Sequence, residues 1–460
     1  MSRVFVSPAD LRTRFSNGLS RMYRDEVPAY GTLLDIVDTV NQEAGAQTGA
    51  EATSETASRI AVERHGAIRL GTPSELFNMR RMFALLGMEA VGYYDLTVAG
   101  IPVHSTAFRP VSPAALEENP FRVFTSLLRL DLITSDALRA KAEALLQARS
   151  IFTPMALDLC ARAEQEGGLG EADADRFIAE LTETFRWHAD APVTLELYEE
   201  LLASHRLTAD IVSFKGPHIN HLTPRTLDIE AVQARMPDHG ISPKAVIEGP
   251  PLRHCPILLR QTSFKAIVEP VRFADGEAGQ HLARFGEIEQ RGAALTPKGR
   301  ALYDRLLDAV RADILPAGDG SNSAAYRARL EAEFAAFPDD WETLRREGLA
   351  YFDYKLTPEG EALALSGGEH DLDIDTLIAR GLVIATPQTY EDFLPVSAAG
   401  IFTSNLGDGD AAIIATRSNQ DAFETALGAS VADPFALYAQ IEARSKAICL
   451  EAFRAQAVAE

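Results

Sequence analysis

Two distant stretches of the chain carry a histidine four residues ahead of an arginine. Arg64-His-Gly-Ala-Ile-Arg-Leu-Gly-Thr-Pro-Ser-Glu75 pairs His65 with Arg69, and Ser213-Phe-Lys-Gly-Pro-His-Ile-Asn-His-Leu-Thr-Pro-Arg225 pairs His221 with Arg225. Each is followed by a helix signal, a glycine and a strand signal. Two imidazole nitrogens and one carboxylate oxygen can hold a divalent metal on one octahedral face and leave the other positions open. The carboxylate is expected from Arg284-Phe-Gly-Glu-Ile-Glu-Gln-Arg291. Glu287 and Glu289 fall on one face of a strand there, so parity does not choose between them. His218 offers a further donor or an alternative ligand.

On a strand, Arg69 lies two pleats, or four residues, from His65 on the same face, where a guanidinium can grip a carboxylate with two parallel bonds. An ion pair with one of the many acidic side chains accounts for it equally well. Arg225, at a helix start, reads as a loop anchor. His104, His188, His205, His239, His254, His281 and His370 read as ordinary surface or core residues. There is no Walker loop or dinucleotide-binding glycine pattern, and the Gly367-Gly368 pair lacks the further glycines and lysine of a phosphate loop.

These residues need elements to hold them. The segment 64–134 reads as strand, helix and three strands. Thr72-Pro-Ser-Glu75 is a capping box, and Leu76, Met79, Phe83 and Leu86 form the apolar stripe of the helix it starts. From Thr208 the order returns: Ile211 to His221 as a strand, a helix capped by Asp228, then strands in 244–247, 256–264 and 283–291. Two such modules can close into one half-barrel around a shared metal. The class is therefore α+β. The expected parts are a helical segment 1–59, a first β-α-β-β-β module 60–134, a helical insertion 135–207, a second module 208–295 and a mostly helical region 296–460. Ala44 to Ser58 reads as a loop, and Pro387 to Asn405 as a connector or a lid touching a site.

With 66 acidic against 44 basic residues the 460-residue chain carries a net charge of −22. That excludes the clustered Lys and Arg that nucleic acid or an anionic membrane selects for. The three cysteines, Cys160, Cys255 and Cys449, form no metal-binding or disulfide pattern. The opening residues are no signal peptide, and no apolar run is long enough to span a bilayer. A reduced, cytoplasmic setting is expected.

Four stretches, His65-Gly-Ala-Ile-Arg-Leu-Gly71, Gly216-Pro-His-Ile-Asn-His-Leu-Thr-Pro-Arg225, Phe285-Gly-Glu-Ile-Glu-Gln-Arg-Gly292 and Leu394-Pro-Val-Ser-Ala-Ala-Gly-Ile401, resemble the 2-oxoadipate dioxygenase/decarboxylase (D-2-hydroxyglutarate synthase) family, which is related to the vicinal oxygen chelate superfamily. The resemblance implies Fe(II) bound by His65, His221 and Glu289. It implies a 2-oxo acid substrate held by His65, Arg69, Val396 and Ser397, with O2 as co-substrate, and conversion of 2-oxoadipate to D-2-hydroxyglutarate and CO2 in lysine catabolism. An oxygen-independent metal-dependent lyase or isomerase of the vicinal oxygen chelate type is the alternative.

Overall fold

Ser7 accepts a hydrogen bond from the amide of Asp10 and starts α1 (Pro8–Glu26); α2 (Pro28–Thr48) follows after one residue, and α3 (Ala57–Val62) leads into the first strand. The computed structural model describes residues 4–48, 57–282, 284–317, 320–366, 372–394 and 419–454. The helix α2 runs through Ala44 to Thr48, where the sequence read a loop; small residues alone do not stop a helix that Leu33, Val37 and Val40 anchor in the core.

Strand β1 (Arg64–Leu70) is followed by α4 (Pro73–Leu85). The expected capping box is present: Thr72 accepts from the amide of Glu75, and the Glu75 carboxylate accepts from that of Thr72. Next come β2 (Glu89–Asp95), β3 (Val103–Arg109), the short α5 (Pro113–Glu118) and β4 (Arg122–Leu128). Five helices separate β4 from the next strand: α6 (Asp136–Ala148), α7 (Pro154–Glu166), α8 (Glu171–Glu183), α9 (Leu195–Ser204) and α10 (Arg206–Val212). The strand expected from Ile211 is thus a helix to Val212, and β5 is confined to His221–Pro224. Helix α10 takes its start from the side chain of His205, which accepts from the amide of Leu207.

The main sheet is mixed, in the order β2-β3-β4-β1-β5, with β1 parallel to β4 and antiparallel to β5. Alternation along β1 decides what faces where. Ile68 and Leu70 join the core built with α1, α2, α4, α7 and α8, while Ala67 joins a second core with α6, α9, α10 and the C-terminal region. His65 and Arg69 share the Ala67 side.

Beyond β5, α11 (Ile229–Arg235) precedes β6 (Leu259–Ser263), β7 (Val268–Arg272), β8 (Ala278–Leu282) and β9 (Glu287–Arg291). The sequence reading missed the β7–β8 hairpin. Strand β9 pairs antiparallel with β6, and a parallel bridge joins Arg225 to Glu289. Residues 244–247, expected as a strand, contribute no named strand; neighbouring Pro243 and Glu248 bridge to Phe264 and Gln261.

The C-terminal region holds α12 (Pro297–Asp313), α13 (Ser323–Phe334), α14 (Trp341–Arg346), the pair β10 (Phe352–Leu356) and β11 (Val383–Pro387), and between them α15 (Pro358–Leu365) and α16 (Ile374–Ala379). Helices Gln420–Leu427 and Pro434–Arg454 follow. No described helix is long and apolar enough to cross a membrane. All three cysteines are buried and free.

Candidate metal and substrate site

Antiparallel pairing sets Ala67 opposite His221 and His65 opposite Thr223. The two imidazole rings consequently meet edge to face, with centroids 5.3 Å apart and planes at 88°. The amide of Thr226 donates to the carbonyl of Glu289 at 2.7 Å, which brings β9 against the same spot. Two glycines permit this approach. A Cβ on Gly66 would stand 2.8 Å from Ile219 Cδ1, and one on Gly286 would stand 2.0 Å from the Phe264 ring.

Glu287 Oε1 lies 3.0 Å from His65 Nε2 and 3.9 Å from His221 Nε2. His65, His221 and Glu287 offer one ligand atom each, all within 4.8 Å of one another, and all three residues are buried. Glu287 Oε1 also accepts from Thr223 Oγ1 at 3.0 Å and Gln261 Nε2 at 2.9 Å. Its Oε2, like His221 Nδ1, is buried without a hydrogen-bond partner. Native interiors rarely leave such atoms unsatisfied, and a bound cation is one way to satisfy a carboxylate. The donor set, two imidazoles and a carboxylate, fits a divalent transition metal.

Glu289 stands differently. Its Oε2 lies 2.9 Å from His65 Nδ1, so it too reaches the site. Yet Arg291 grips it with two bonds, 2.9 and 2.7 Å long, and Arg122 Nη1 adds a third at 3.3 Å. The structure brings both glutamates to His65, and only Glu287 forms a described ligand group with both histidines.

Burial pushes the His221 imidazole down to about 4, against the pull of Glu287, so its ring is neutral and able to ligate at pH 7. His65 is buried as deeply, but Glu289 and Glu287 outweigh the burial and raise its pKa. Burial would raise both carboxyls. Instead His221 and His65 hold Glu287 below its usual range, and Arg291 with His65 takes Glu289 to about 2.

Beneath the site runs a buried ionic layer that sequence reasoning missed. Glu63 accepts from Arg122 at 2.9 Å and Arg225 at 2.7 Å, and Glu391 accepts from Arg59 and Arg122 at 2.5 Å each. Arg225 anchors its loop in this way. The available signal was Arg122 itself, a lone charge opening the apolar run Arg122–Leu128.

Arg69 donates to Asp210 Oδ2 at 2.6 Å. Asp210 Oδ1 accepts from His281 Nε2 at 2.8 Å, and His218 Nε2 stands 3.2 Å from the same oxygen. His218 thus belongs to this second group rather than to the His65 group. On the opposite flank the Phe393 ring meets His65 edge to face, centroids 5.0 Å apart. Val396 and Ser397, three and four residues further on, lie outside the described residues.

A mixed sheet that carries two histidines and a glutamate to one buried point, with an arginine four residues along the same face, defines an α/β protein with a candidate metal centre. The family model described as 2-oxoadipate dioxygenase/decarboxylase matches residues 15–405, and the chain belongs to that family. The chain is 56% identical over 454 residues to the 2-oxoadipate dioxygenase/decarboxylase of Pseudomonas putida, covering 97% of this chain and 98% of the relative. To the protein of that name from Escherichia coli K12 it is 53% identical over 450 residues, with coverage of 96% and 98%. The crystal structure of hydroxyglutarate synthase from Pseudomonas putida in complex with 2-oxoadipate superposes with a TM-score of 0.90 at 56% identity, covering 98% of this chain and 99% of that one.

Proposed function

We propose that this chain is an Fe(II)-dependent enzyme that converts 2-oxoadipate and O2 to D-2-hydroxyglutarate and CO2, within lysine catabolism. The observation that carries the proposal is the buried His65–His221–Glu287 group in a chain this similar to relatives named for that activity. The atoms balance. C1 of the substrate leaves as CO2, one oxygen of O2 joins the new carboxylate, and the other becomes the hydroxyl. Bound Fe(II) would supply open coordination positions and activate O2, while the substrate supplies the four electrons, two in decarboxylation and two in hydroxylation.

The remaining roles belong to the chain. His65 and His221 hold the metal with a glutamate of β9. Glu287 is the ligand the geometry favours, because one of its oxygens lacks a partner. Glu289, the ligand implied by family resemblance, is the second reading, favoured by its 2.9 Å approach to His65 Nδ1. Arg69 holds a substrate carboxylate, and His65, Val396 and Ser397 contact the substrate. Phe393 walls the His65 side with an apolar ring and excludes water.

The proposal extends to architecture. Pairing in the second half runs from Glu248 to β6, to β9 and to Arg225 at the end of β5. This matches the order β2-β3-β4-β1, with the β7–β8 hairpin as an insertion, and supports two related modules at 60–134 and 208–295. The 1–59, 135–207 and 296–460 segments are then the helical additions. A cytoplasmic setting fits the three free cysteines. Oxygen consumption by the iron-loaded protein with 2-oxoadipate tests the whole.

A further inference from the structure

The second buried group, Asp210, His218 and His281, has the composition of a metal site. Its surroundings argue for another role. Arg69 already sits on Asp210 Oδ2 at 2.6 Å, and a divalent ion on the same carboxylate would face a buried guanidinium. Two hydrogen bonds of His281 fix it to Asp210 and Tyr198, whereas His218 Nε2 lies 3.2 Å from Asp210 Oδ1 without hydrogen-bond geometry. His281 uses Nε2 on Asp210 Oδ1, and its Nδ1 lies 2.9 Å from the Tyr198 hydroxyl, so Tyr198 and Asp210 together set the tautomer. Trp187 lies parallel to the His281 ring, 3° between planes, and edge-on to His218 at 4.7 Å. Phe214 packs against both imidazoles.

We infer that Asp210 is a positioning residue that aims the Arg69 guanidinium at the substrate carboxylate, with His281, itself held by Tyr198, fixing Asp210 in place. Arg69 stands on the His65 face of β1, four residues along, about 13 Å at the ordinary strand rise. A long side chain at that distance has many rotamers, and a buried carboxylate on its Nη1 selects one of them. The inference rests on the reading of Arg69 as the substrate holder.

The test is calorimetric binding of 2-oxoadipate to the Fe(II)-loaded protein without oxygen, so that no turnover is needed. Asp210→Asn is expected to raise Kd about tenfold, as misplacement of a binding group does, with one iron per chain retained. Arg69→Ala raises Kd at least as far, and Asp210→Asn added to Arg69→Ala changes nothing further. Tyr198→Phe, a gentler change that removes one hydroxyl, raises Kd in the same direction by a smaller factor. An unchanged Kd in Arg69→Ala defeats the reading of Arg69 itself. If Arg69→Ala weakens binding and Asp210→Asn does not, or the two effects multiply, Asp210 does not act through Arg69. A second metal equivalent bound by the parent protein and lost in His281→Ala likewise overturns the inference.

Discussion

His65 and Glu287 meet at 3.0 Å, imidazole Nε2 to carboxylate Oε1, with both side chains buried. The second carboxylate oxygen of Glu287 is unpartnered, whereas Glu289 is held by Arg291 and Arg122.

Metal analysis of two conservative variants separates the glutamates. Glu287→Gln is expected to retain under about a tenth of the parent's iron, as removal of one of three protein ligands should. Glu289→Gln is expected to keep most of its iron and to melt at a lower temperature, because Arg291 and Arg122 lose one of their charged partners. The reverse pattern of iron content would assign the ligand to Glu289.

The ionic layer makes a stability prediction. Arg122 is completely buried and contacts Glu63, Glu289 and Glu391. Removing one partner of a buried ion pair leaves uncompensated charge, at a cost of about 3–5 kcal/mol. Arg122→Met should therefore lower the urea midpoint of unfolding sharply. Arg235→Ala, which breaks an exposed pair with Glu43, should leave the midpoint where it is. Equal effects of the two would show that the buried layer contributes no special stability.

How much of this was legible in the sequence depends on how local each cause is. The segment from β1 to β4 could be read because its capping box and its alternation lie within a few residues of one another. Helix α10 was misread since Ile211 and Val212 favour strands by type, while the side-chain cap at His205 favours a helix. The β7–β8 hairpin was missed because Val268 and Pro270 point outward while Glu269 points inward. Glu269 is buried by an ion pair with Arg284, fifteen residues away, which no strand pattern foretells. Likewise His65, His221 and the β9 glutamates were readable from motif spacing, but what distinguishes Glu287 from Glu289 includes contacts with distant residues, such as Arg122, 167 residues from Glu289. Asp210 carried no signal, since its arginine is 141 residues upstream.

Acid sensitivity has an identifiable contributor away from the metal centre. Burial, aided by Arg129, depresses His104 to about 4, and the ring packs against Phe423 at 4.8 Å. The unfolded chain binds a proton there near 6.5, the folded one only near 4. The stability this residue contributes is thus complete above pH 6.5 and is lost as pH falls toward 4, by about 2–3 kcal/mol. Unfolding free energy should fall between pH 7 and pH 5, and His104→Phe should flatten that slope. An unchanged slope in the variant would place the titrating group elsewhere.

The most direct measurement is oxygen uptake by protein stripped of metal and reloaded with Fe(II), given 2-oxoadipate, with 2-oxoglutarate and no substrate as controls. Uptake with 2-oxoadipate is expected, with one CO2 released and one 2-hydroxyglutarate formed per O2, and none of this in His65→Ala. Conversion of a 2-oxo acid without oxygen uptake, or no reaction by protein with iron bound, would contradict it and favour an oxygen-independent lyase or isomerase built on the same site.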